Sequence, residues 1–117
     1  ASLEKVRSWK PEVLLGSHIE PIVGAAECEK NLTRYIDAIR FVHDQTVAGM
    51  NAGKDVWTLM QEIKLPEHLK IGEQYGRLTW SIRGIYEGYV GFYDERIPSM
   101  YEVPPSAVHD DLVALAG

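Results

Sequence analysis

Four histidines, His18, His43, His68 and His109, are the first residues to weigh for chemistry. A neutral imidazole serves as metal ligand or as acid–base group, and its neighbours decide which. None of the four lies in an H-E-x-x-H or H-x-H pattern, and the chain has neither a Gly-rich phosphate loop nor a G-x-S-x-G elbow. His18 follows the apolar run Val13-Leu14-Leu15, in a loop that holds Gly16 and Pro21. In open α/β sheets, ligand sites gather at the carboxyl ends of strands. His18 is therefore the candidate metal ligand, against the alternative of a loop imidazole bonded to backbone. One ligand makes no zinc site, since zinc needs three or four. His43 falls on an apolar helical stripe beside Asp44, where a bond to a nearby carboxylate or carbonyl competes with a catalytic role. His68 and His109 read as surface or capping residues. Trp80, near Tyr75 and Arg77, belongs either to a cleft or to core packing. Glu27 with Glu29, and Asp110 with Asp111, lie too close along predicted helices for their side chains to converge. No self-contained catalytic site emerges.

The elements that position these residues are mostly helices. Ser2 caps a short helix through Trp9, which ends at Lys10-Pro11 because proline disfavours a helical residue before it. Val13-Leu14-Leu15 reads as a strand apolar on both faces, the kind found inside a covered sheet. Ile22-Val23-Gly24 reads as a brief extended exit, and nothing later resembles a partner strand. The opening strand then pairs with another chain, or it closes a larger α/β domain that precedes this sequence. The second reading is preferred.

From Ala25 the pattern turns helical. Cys28, Leu32, Tyr35, Ile39, Val42 and Thr46 step by four, three, four, three and four, and Ile36, His43 and Met50 widen the stripe. This helix is expected to end within Gly49–Gly53. Asp55 is the expected N-cap of a shorter helix carrying Val56, Leu59, Met60 and Ile63, closed near Pro66. A third helix is expected from Gln74 or Arg77 to Tyr93, along Leu78, Ile82, Ile85, Tyr89 and Phe92. Gly84, Gly88 and Gly91 recur on one side of it. They signal close approach by another helix, a weak helix held by its surroundings, or simple tolerance. Ser106 is the expected cap of a last helix carrying Val108, Leu112 and Leu115.

Composition bounds the function. A chain of 117 residues and 13.2 kDa fits one domain or a piece of one. Twelve basic residues against 17 acidic ones give a net charge of −5, and no basic run exceeds two residues, which excludes the footprint of nucleic-acid binding. Apolar runs are too short for a membrane span. The single Cys28 excludes a disulfide scaffold and a multi-cysteine zinc module. The start, Ala1-Ser2-Leu3-Glu4-Lys5, lacks the basic opening and apolar stretch of a signal peptide; any such signal lies upstream.

The stretch Arg34-Tyr35-Ile36-Asp37-Ala38-Ile39-Arg40-Phe41-Val42-His43-Asp44-Gln45-Thr46 resembles the start of the alkylsulfatase dimerisation domain. So does Tyr75-Gly76-Arg77-Leu78-Thr79-Trp80-Ser81-Ile82-Arg83-Gly84-Ile85-Tyr86-Glu87-Gly88-Tyr89-Val90-Gly91-Phe92-Tyr93-Asp94, followed by Val103-Pro104-Pro105. The run from Lys10 to Gly24 is similar to the last strand and loop of the metallo-β-lactamase-type catalytic domain that precedes it in the family. The resemblance implies that His18 is the final histidine ligand of a dinuclear zinc centre. It implies hydrolysis of alkyl sulfate esters by zinc-activated water in the full-length enzyme. The family's H-x-H-x-D-H motif and two glutamates lie upstream, and this chain lacks them, as it lacks the downstream lipid-binding-like domain. Trp80 stands where some members carry a histidine near the sulfate, so substrate preference does not transfer. The compartment stays open; a periplasmic or secreted parent is compatible with the family.

The expected fold is thus mostly α: a helical dimerisation domain over residues 25–117 with two long, heptad-like helices. Residues 1–24 precede it as a short α/β remnant of the metallo-β-lactamase-like catalytic domain. The expected function is homodimerisation, with Ile82, Ile85, Tyr86 and Tyr89 at the contact and Gly84 and Gly88 allowing close approach. Zinc is expected only with the missing upstream ligands, alkyl sulfate only as substrate of the full-length enzyme, and no catalysis from the chain alone. Two rivals are an active zinc hydrolase of which this is a part, and a helical adaptor for a different protein.

Overall fold

The computed structural model describes residues 2–16, 20–72, 76–91 and 105–116. In chain order the elements are α1 (Ser2–Ser8), β1 (Val13–Leu14), β2 (Ile22–Val23), α2 (Ala25–Asn51), α3 (Val56–Glu62), a 3-10 turn (Glu67–Leu69), α4 (Leu78–Val90) and α5 (Pro105–Ala116). The mostly helical architecture expected from the sequence is the one observed. No helix among the described residues is long and apolar enough to cross a membrane.

α2 is the spine. α1 and the two strands pack along it, the 3-10 turn and α4 also lie against it, and α3 packs on α4. An ion pair and a hydrogen bond tie α1 down: Glu4 pairs with Arg40, and the Arg7 Nη1 donates to Thr33 Oγ1 at 3.1 Å.

The opening strand has a partner within the chain, contrary to expectation. β1 and β2 pair antiparallel, Val13 opposite Val23 and Leu14 opposite Ile22. Two-residue strands carry too little periodicity to announce a pairing; both lie against α2, which brings them together. The sheet is nonetheless bare on its outer side, with Val13 48%, Leu15 78% and Val23 68% exposed.

α2 begins and ends where its local signals place it. Its apolar stripe, however, is covered unevenly. Cys28, Leu32, Ile36, Ala38, Val42 and Thr46 are buried, while Tyr35 and Ile39 stay 45% and 44% exposed. At about 100° per residue, Tyr35 and Ile39 fall within about 20° of the stripe's centre line. The hairpin covers one end of the stripe and α4 the other, leaving the middle open. Thr46 is buried because its hydroxyl donates to the Val42 carbonyl at 2.7 Å, satisfying it within the helix.

The main core gathers Val42, Leu59, Ile63 and Ile82 from α2, α3 and α4. Gly49 lets α3 seat closely, since a Cβ there would fall 2.2 Å from the Leu59 Cδ2. Asp55 caps α3 as expected: its carboxylate accepts from the amides of Trp57 (2.9 Å) and Thr58 (3.0 Å) and from the Thr58 hydroxyl (2.9 Å). The Thr58 amide, then its hydroxyl, hold the carboxyl below its usual 3.8. A depressed carboxyl pKa stabilises the fold above the ordinary value and ceases to do so as pH falls through the folded one. Asp55→Ala is expected to cost about 1 kcal/mol at neutral pH, with the difference closing in acid well below 3.8. Urea unfolding of both proteins at the two pH values checks this.

α4 ends at Val90, three residues before the expected Tyr93. Gly91 takes φ +99°, a left-handed conformation that stops a helix, and its amide returns to the Glu87 carbonyl at 2.8 Å. α5 begins at Pro105, one residue before the expected cap, as suits a proline at a first helical position.

Candidate functional site

α4 divides its expected contact residues between two environments. Ile82 is wholly buried against Val42, Leu59 and Ile63, so its side chain belongs to the core of its own chain. Ile85 and Tyr86 are half-buried and pack at the margin of that core. Gly84 and Gly88 are exposed, and a Cβ at either would meet nothing within 4 Å. Tyr89 is 61% exposed.

Tyr89 is nevertheless held. Its hydroxyl lies 2.8 Å from the His43 Nε2, and the His43 Nδ1 lies 3.0 Å from the Asp44 Oδ1. A carboxylate only accepts, so in a neutral ring Nδ1–H donates to Asp44 and Nε2 accepts from the Tyr89 hydroxyl. The rings sit 5.9 Å apart at 51°, fastening the end of α4 to α2. His43 thus has the carboxylate partner that its position beside Asp44 suggested. The tyrosine partner is 46 residues away, a pairing no local pattern reveals.

Trp80 stands half-exposed in the first turn of α4, with the Arg77 guanidinium 6.0 Å from its ring. Of the two readings open for it, core packing is the one its exposure disfavours.

Between the hairpin and α4, over the open middle of the α2 stripe, runs a groove of about 1030 Å³. Leu15, Tyr35, Ile39, Leu65, Leu78 and Ile85 give it an apolar lining. Spacing places Tyr35 and Ile39 on the stripe but does not say which of its residues a neighbouring element covers, so the groove is not legible from the sequence.

His18 lies outside the described residues, as do Tyr75 and Phe92. Among the described residues no three His, Cys, Asp or Glu side chains come together to hold a metal ion.

Comparison with known proteins gives a consistent family. The sequence profile named "Alkyl sulfatase dimerisation" matches residues 56–117, a span containing α3, α4 and α5. A linear primary-alkylsulfatase of Pseudomonas sp. (strain ATCC 19151) is 36% identical over 122 residues, covering 100% of this chain and 23% of that protein. The alkyl/aryl-sulfatase BDS1 of Saccharomyces cerevisiae is 27% identical over 112 residues, covering 92% of this chain and 17% of that protein. The solved stereoselective inverting sec-alkylsulfatase Pisa1 from Pseudomonas sp. superposes with a TM-score of 0.70 at 28% identity, over 99% of this chain and 19% of its own. The chain therefore spans less than a quarter of the length of these relatives. With the profile, the relatives and the helical architecture in agreement, the chain belongs to the alkyl sulfatase dimerisation family.

Proposed function

We propose that this chain is the self-association module of a longer alkylsulfatase-like enzyme, pairing two copies through the solvent side of α4. The observation that supports it most is the contrast along that helix. Ile82 anchors one side in the core, while Gly84 and Gly88 leave the other flat and open. Interior glycines cost a lone helix about 1 kcal/mol each relative to alanine, so they suit a helix that another backbone approaches closely. Tyr89, oriented by His43, and the exposed edges of Ile85 and Tyr86 complete the proposed contact.

Residues 1–24 read, in this proposal, as the end of the preceding metallo-β-lactamase-type domain. The bare apolar side of the hairpin favours that reading, because no described residue covers Val13, Leu15 and Val23. His18 is then a zinc ligand that acts only with donors from elsewhere in the enzyme, and alkyl sulfate ester hydrolysis belongs to the full-length protein.

The glycines provide a test with opposite signs. Ile85 packs at the core margin, so a charge there would disturb fold and interface together. The double variant Gly84→Ala, Gly88→Ala should instead stabilise α4 in the dilute monomer by up to about 2 kcal/mol, while weakening the dimer. Thermal melts at high dilution and light scattering across concentration read the two effects separately. A dimer of unchanged affinity would remove the glycines from the interface. A wild-type chain that stays at 13.2 kDa at every concentration would remove the self-association reading itself.

A further inference from the structure

We draw no further inference here: the strongest candidate, the cluster in which the His43 ring joins Asp44 to the Tyr89 hydroxyl between α2 and the end of α4, keeps the same two hydrogen bonds whether the ring is neutral or protonated, and nothing among the described residues shows what would act on it or cover it.

Discussion

Replacing Ile82 by alanine is expected to lower the unfolding free energy by about 3 kcal/mol, within the range for large-to-small changes at fully buried sites. Ile82 is 0% exposed and shares one core cluster with Val42, Leu59 and Ile63, so α2, α3 and α4 meet in that cluster. The loss has two parts: the transfer free energy of the removed methylenes, and a void that rigid neighbours fill only partly. A domain of ordinary stability has some 5–15 kcal/mol in total, so the change consumes a large share of it. Urea denaturation at a concentration that keeps the chain monomeric measures it. A cost below about 1 kcal/mol would mean that the α2–α3–α4 junction repacks freely and that Ile82 is not its keystone.

The second large effect is expected at Glu87. Its Oε1 lies 2.5 Å from the Arg83 Nε, one helical turn away, and the side chains are only 19% and 10% exposed. The guanidinium also lies 5.6 Å from the Trp57 ring, so the pair joins α4 to α3. Breaking a buried pair by removing one partner leaves the other charge poorly compensated, which costs more than the intact pair contributes. Glu87→Ala is expected to destabilise by about 2–3 kcal/mol, below the full cost of a dry pair because Glu87 keeps some contact with water. Glu27, paired to Lys30 with side chains 56% and 73% exposed, supplies the control: its removal should cost about 0.5 kcal/mol or less. Parallel denaturant titrations of the two variants separate these outcomes. Equal costs would show that solvent screens the Arg83 pair as fully as a surface one.

Local signals were read well from the sequence. Both ends of α2 and the Asp55 cap follow from side chains within a few positions of the feature, and such short-range preferences act independently of the rest of the fold. The residues lost to sequence reasoning are those settled by distant partners. β1 and β2 hold two residues each, so their pairing depends on their packing against α2. Ala38, 1% exposed, is small and carries no weight in a hydrophobic stripe, yet it is more deeply buried than Tyr35 or Ile39. No local signal marks Arg83 as buried; the Trp57 ring on α3 and Glu87 one turn along α4 give it a place inside. The same limit governs the candidate interface. Spacing put Ile82 and Ile85 on one stripe with Tyr89, but the arrival of α3 assigned Ile82 to the core and left Gly84, Gly88 and Tyr89 in solvent.

Cys28 is wholly buried, and its Sγ donates to the Ile22 carbonyl at 3.5 Å, at the joint between the hairpin and the first turns of α2. It is also the chain's single thiol. A thiol-specific reagent can reach it only when that joint opens, so the rate of modification, compared with that of a free cysteine, becomes a clock for one local motion. Any partner that clasps the hairpin would slow this clock, and one that pries it loose would speed it. The protein thus carries its own reporter on whether its first two dozen residues stand alone or are held by a neighbouring domain.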